Sequence, residues 1–205
     1  MKEFLLLLIK MNRTIQVSAL LMAAGVHASY SWGACPVVAS QATFEVERYT
    51  GKWFEVARDR AIPYEIGAKC VNADYEPNSD GSINVTNNAR VFNKGWSSLT
   101  GKGVVSNEGG ANLVVALHTD VVPSPDDYAN YRIISTDYDS YSIFYTCTDK
   151  TGGLMHEDYF YILTREPVIS DEAMADIVAI VNEKIPEYDY EAKKHMTKQG
   201  DGCDY

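Results

Sequence analysis

From Gly51 to Thr164 the chain alternates short strand-forming runs with turn-forming ones, and most of the connections are too short for a parallel crossover. The runs are Gly51 to Arg60, Cys70 to Glu76, Ile83 to Val91, Gly95 to Val105, Leu113 to Leu117, Tyr131 to Ser135, Tyr141 to Cys147 and Tyr159 to Thr164. Between them lie Pro77-Asn78-Ser79-Asp80-Gly81, Asn107-Glu108-Gly109-Gly110, Pro123-Ser124-Pro125-Asp126-Asp127, Asp137-Tyr138-Asp139-Ser140 and Gly152-Gly153. These stretches combine fixed-φ proline, side chains that bond their own backbone, and glycine. Eight antiparallel strands in sequence order have one economical solution, an all-β up-and-down barrel whose edges vanish by closure.

The first strand shows what such a barrel encloses. In Gly51-Lys52-Trp53-Phe54-Glu55-Val56-Ala57, glycine permits an unusual turn, and large and small side chains follow on alternate faces. Trp53 pointing inward plugs one end, while Ala57, assigned to the same face by parity, leaves space above it. Glu55 shares that parity and is expected inside near Trp53.

Helical spacing follows the last strand. Ser170 is placed to cap a helix whose first turn holds Asp171 and Glu172, and Met174, Ile177, Val178 and Val181 form one apolar stripe ending before Ile185-Pro186. One stripe needs one surface, so the helix is expected on the outside of the barrel, over Phe54, Val56, Phe160 and Ile162.

The N-terminus has a different composition. Lys2 and Lys10-Met11-Asn12-Arg13 flank apolar runs at Phe4 to Ile9 and Ile15 to Val26, and Val26-His27-Ala28 has the small-residue form of a cleavage site. Residues 1–28 are expected to be a signal peptide and residues 29–205 a single domain, with initiation at Met11 and a retained anchor as alternatives. The chain has 18 basic and 28 acidic side chains; without Lys2, Glu3, Lys10 and Arg13 the counts are 15 and 27, a formal charge of −12. That balance argues against nucleic acid as a partner. The four cysteines, Cys35, Cys70, Cys147 and Cys203, follow the cleavage point and lack CxxC spacing. They suit disulfides in a secreted or secretory-lumen protein, and counting allows three pairings.

At this point the chain resembles the lipocalin family, in the branch of apolipoprotein D and the bacterial outer-membrane lipocalins. Gly51-Lys52-Trp53, Thr136-Asp137-Tyr138 and Arg165 match three family motifs in order. The resemblance implies an eight-stranded calyx with a C-terminal helix that binds, carries or scavenges small apolar molecules. It implies that Arg165 lies over Trp53, that Asp137 accepts backbone N–H groups in its turn, and that Tyr138 packs the closed end. It pairs Cys35 with Cys147 and Cys70 with Cys203. The family register adds Ala73, Tyr75, Val85 and Asn87 to Ala57 as ligand contacts, parity with Arg165 adds Tyr159 and Tyr161, and an outward Cys147 turns Ser142 and Phe144 inward.

Such a wall suits a hydrophobic ligand with one polar end, whether fatty acid, sterol, retinoid or tetrapyrrole. No resident cofactor or metal is expected, since His118, His156 and His195 have no metal-site spacing, although a lone histidine could ligate haem. Asn84-Val85-Thr86 is a glycosylation sequon whose asparagine faces outward by the same parity. No Ser/His/Asp or Cys/His arrangement is evident, which favours a carrier over a calyx enzyme such as an isomerase or oxidoreductase. The third reading is a secreted interaction module. The Trp96 and Leu99 neighbourhood is a candidate membrane or subunit contact, and oligomeric state is left open.

Overall fold

The computed structural model describes residues 30–91 and 95–205. The expected signal peptide and its cleavage point lie outside the described residues.

The eight expected strands form β2 to β9 of an antiparallel barrel: β2 (Gly51–Asp59), β3 (Ala68–Pro77), β4 (Ile83–Val91), β5 (Gly95–Val105), β6 (Asn112–Leu117), β7 (Tyr131–Thr136), β8 (Tyr141–Lys150) and β9 (Met155–Thr164). Each pairs with the next, and β9 returns to β2 to close the sheet. Two short strands lie outside that sequence, β1 (Tyr30–Trp32) on β9 and β10 (Lys194–Met196) on β2. Turn chemistry sets the corners. In the β3–β4 turn Asp80 accepts the Ser82 N–H at 2.9 Å, and the Asn78 N–H donates to Ser82 O at 2.8 Å. Gly101 allows β5 and β6 to approach closely, since a Cβ there would sit 2.2 Å from Ala116 O.

The wall has two places where neighbouring strands part. β2 pairs with β3 only from Gly51 to Phe54 and then turns to β10. The widening gap is filled from the tail: the Thr197 N–H donates to Val56 O at 3.1 Å, Gln199 Nε2 donates to both Glu55 O and Val71 O at 2.7 Å, and the Cys70 N–H donates to Lys198 O at 2.9 Å. β6 and β7 share only two residue pairs, Asn112–Arg132 and Leu113–Tyr131. There the Asn130 amide extends the ladder, accepting from Val115 N at 2.9 Å and donating to Val115 O at 2.8 Å. In both places side-chain amides satisfy main-chain groups that the ladder leaves open.

One cluster of buried side chains fills the closed end of the barrel, around Trp53, Tyr49, Ile83, Leu113, Ile133 and Tyr138. The other lies between barrel and helix. Helix α2 (Asp171–Lys184, after the short α1, Val46–Tyr49) starts at Ser170, whose hydroxyl accepts the Ala173 N–H at 3.2 Å. Such a cap is worth about 1 kcal/mol. Ile177 and Val181 are buried on Val56, Phe160 and Ile162, with Met174 and Val178 at the margin. Burying each of the first two contributes roughly 1.5–3 kcal/mol. Phe54 is not under the helix as expected; its ring packs edge-on against Tyr205 at 4.7 Å.

Cys35 is bonded to Cys147 and Cys70 to Cys203, spanning 112 and 133 residues. The first bridge fixes the N-terminal arm to the outside of β8. The second fixes the tail where β2 and β3 diverge.

Candidate functional site

The floor is built on Trp53, which is fully buried and donates from Nε1 to Tyr49 O at 2.7 Å. Arg165, just past β9, lays its guanidinium over the indole with Cζ 3.7 Å from the ring centroid. It also donates to Tyr138 O at 2.9 Å, Lys52 O at 2.8 Å and Arg48 O at 2.9 Å, tying three chain segments together. Gly51 has a φ of +92°, and a Cβ there would stand 3.4 Å from Arg165 Nη1. Asp137 accepts the N–H groups of Asp139, Ser140 and Tyr141 at 3.1, 2.8 and 3.0 Å. Burial pushes its carboxyl up, but the Ser140 hydroxyl, which also donates to it, and these three N–H groups together outweigh that and hold it below the usual carboxylate range. Tyr138 packs in the closed end, with its hydroxyl accepting the Glu45 N–H at 3.1 Å.

Above this floor lies a cavity of about 690 Å³. Ala73, Tyr75, Val85 and Asn87, turned inward by the family register, and Phe144, Tyr159 and Tyr161 line it, together with Leu99, Val115, Tyr131 and Leu163. Cross-strand neighbours form an aromatic ladder along one wall: Tyr131 stacks on Phe144 at 4.0 Å and Phe144 on Tyr161 at 4.3 Å. The hydroxyls of Tyr75 and Tyr131 lie 3.0 Å apart, and those of Tyr131 and Tyr49 3.1 Å apart. Burial pushes Tyr49 up to about 12 and Tyr75 and Tyr131 upward as well, so the trio remains a neutral network.

Two expected contacts are elsewhere. Ser142 faces inward but lies beneath the cavity, its hydroxyl 3.1 Å from Tyr49 Oη. Ala57 is on the outer face, in the cluster under α2. The cause is a bulge: Glu55 pairs with Leu163 but Ala57 with Ile162, so Val56 is the extra residue and the face alternation reverses after it. The reversal brings Arg58 inside instead, paired with Tyr161. Glu55, which precedes the bulge, is inside as expected, and its charged neighbour there is Arg58.

Arg58 is 2 % exposed, and its Nε lies 3.4 Å from Glu55 Oε1 and 2.9 Å from Glu65 Oε2. Neither approach follows the N–H direction, so Arg58 Nε and Glu65 Oε2 are buried without an aligned hydrogen bond. The rest of the guanidinium is engaged by main-chain carbonyls, Asp59 O at 2.9 Å and Glu65 O at 2.6 Å. These bonds draw the Pro63–Glu65 turn over the cavity, where the Tyr64 and Tyr161 hydroxyls meet at 3.0 Å. Glu55 also accepts a hydrogen bond from the Thr197 hydroxyl. Burial, reinforced by the neighbouring Glu65 carboxylate, holds the Glu55 carboxyl well above its ordinary range.

Sequence reasoning missed Arg58, Tyr64, Glu65 and Tyr131 as parts of this site. The one available signal was an opposite-charge pair, Glu55 and Arg58, inside an otherwise apolar strand. Leu99 lines the cavity, whereas Trp96 is exposed, so the two do not form one surface. His118 also lines the cavity; His156 is buried with Nδ1 2.9 Å from Gly33 O, and His195 pairs with Arg58 across β10 and β2. Asn84 faces away from the cavity, with Oδ1 accepting from Asn78 at 3.1 Å and from Lys102 at 2.5 Å. Among the described residues no group of three or more His, Cys, Asp or Glu side chains could hold a metal ion.

The lipocalin-like domain family matches residues 44–198. Rat apolipoprotein D is 30% identical over 176 residues, covering 85% of this chain and 87% of its own. The outer membrane lipoprotein Blc of Escherichia coli K12 is 31% identical over 139 residues, covering 67% and 71%. Among solved structures, insecticyanin of the tobacco hornworm Manduca sexta superposes with a TM-score of 0.68 at 19% identity, covering 86% of this chain and 92% of that one.

Proposed function

The chain belongs to the lipocalin family, and from that premise we propose that it is a secreted carrier or scavenger that reversibly holds a small hydrophobic molecule in its calyx without transforming it. The observation that carries this reading is the cavity of about 690 Å³ closed below by Trp53 and walled by apolar and aromatic side chains. That volume is in the range of small-molecule sites. Covering roughly 250 Å² of ligand apolar surface, at about 25 cal/mol/Å², contributes about 6 kcal/mol before immobilisation costs. With favourable polar contacts this is compatible with micromolar binding.

One relative, apolipoprotein D, carries a name in the same sense. The two long-range disulfides support an oxidising compartment. In that setting the outward Asn84 amide is a candidate glycan attachment point, read by intact mass before and after enzymatic deglycosylation.

Ala73 lies on the cavity wall, directly across the ladder from Trp53. A phenyl group there would occupy ligand volume. Ala73→Phe is therefore expected to weaken binding across a panel of fatty acid, sterol, retinoid and tetrapyrrole, with every ligand recovered unchanged after incubation. Undiminished occupancy in the variant would place the ligand outside the calyx, and rapid product formation would identify an enzyme.

A further inference from the structure

The polar side of the cavity has a consistent charge. Among the described residues its ionisable lining, tyrosines aside, consists of Glu55, Glu65, Glu157 and His118, with no lysine or arginine. The described cations that pair with these carboxyls are already engaged. Arg58 serves two carboxyls and two main-chain carbonyls, and Lys150 is 3.1 Å from Glu157. A buried carboxylate ligand would thus give up its water without gaining a counter-ion among the described residues, and would meet the Glu65 and Glu157 carboxyls in a medium that screens charge poorly.

A donor meets the opposite situation. Glu65 lines this wall with 17 % of its side chain exposed, its Oε2 turned to Arg58 Nε at 2.9 Å, and the Tyr64 and Tyr161 hydroxyls lie on the lining beside it. A ligand O–H or N–H group can donate to the phenol oxygens or to the partly exposed Glu65 carboxyl, and a protonated amine adds attraction to that carboxyl.

We propose that the calyx selects amphiphiles whose polar end donates hydrogen bonds, long-chain alcohols and primary amines, and discriminates against those ending in a carboxylate, with Glu65 as the specificity-determining residue. The proposal rests on the carrier reading above and narrows its ligand class. The site is the apolar cavity itself, and the Glu55–Arg58–Glu65 group fixes the chemistry of one end.

The test holds the hydrocarbon constant. Dodecan-1-ol, dodecylamine and dodecanoate, each below its aggregation limit at pH 7.4, are titrated against protein loaded with the neutral fluorophore N-phenyl-1-naphthylamine. The alcohol and the amine should each displace the fluorophore at roughly tenfold lower concentration than the carboxylate, the factor that corresponds to one buried polar mismatch of modest size. Glu65→Gln, which removes one carboxylate and frees part of Arg58, should narrow or reverse that order, with the circular dichroism of the wild type retained. Dodecanoate binding as tightly as the alcohol in the wild type overturns the proposal and leaves the carrier reading standing. An unchanged order in a folded Glu65→Gln protein removes Glu65 from its assigned role. Should the variant not fold, the wild-type order alone decides the ligand class. A protein that binds neither the fluorophore nor any of the three chains refutes the carrier reading, and this inference with it.

Discussion

The guanidinium carbon of Arg165 lies 3.7 Å from the centroid of the Trp53 ring while its nitrogens reach main-chain carbonyls on three other segments. The arrangement joins the end of β9 to the start of β2, the two strands whose pairing closes the barrel. Trp53→Ala should therefore cost about 3–5 kcal/mol in equilibrium urea unfolding. Arg165→Ala should cost less, about 2 kcal/mol, because its carbonyl partners lie nearer solvent. The double variant should lose less than the sum of the two, since each single change already breaks the stacked contact. Full additivity would show that the two residues act independently.

The tail is expected to behave as part of the wall. Gln199→Ala leaves two carbonyls, Glu55 O and Val71 O, without their shared donor and should cost about 1–3 kcal/mol. Replacing both Cys70 and Cys203 by Ser should cost about 2–4 kcal/mol. Hydrogen exchange gives the location: protection should fall at residues 194–199 and in the upper part of β3, and persist in β8. Unchanged exchange at 194–199 in the serine variant would show that β10 pairing alone holds the tail.

A pH dependence follows from Glu55. Burial first, then the adjacent Glu65, raises its folded-state pKa well above the ordinary 4.5, with Thr197 and Arg58 opposing. The folded protein then holds that proton more tightly than the unfolded chain does. Its contribution to stability is complete below about pH 4.5 and is lost as pH rises toward the folded value. Measured by urea unfolding from pH 4.5 upward, the wild type should lose stability relative to Glu55→Gln. A difference between the two that stays flat, or that rises with pH, contradicts a protonated Glu55.

Much of this architecture could be read from residue order. The eight strands, their turns, the capped helix and the Trp53 floor all have local causes: alternation, proline and glycine placement, and a 3.6-residue stripe. The reversal at Val56 does not. Along Trp53 to Asp59 every side chain is buried, on one face by the cavity cluster and on the other by the helix, so polarity does not alternate and cannot set the register. Ala57 is accordingly on the face opposite to the one its parity gave, and Arg58 was missed. Tyr64 and Glu65 were missed for a different reason. Their loop reaches the cavity only because Arg58 binds its main chain, a contact that depends on the same bulge. The β10 strand is three residues long and pairs with β2, about 140 positions earlier, beyond the range of any periodicity argument.

The distance between the two sides of the seam has a temporal meaning. Thr197, which donates to Glu55, follows it by 142 residues. At roughly 5–20 residues per second a ribosome needs on the order of ten seconds to cover that interval. All eight barrel strands are synthesised before the segment that fills the gap between β2 and β3. The seam between β2 and β3 can therefore be sealed only after every strand of the wall exists, by the same stretch of chain that carries Cys203 to Cys70.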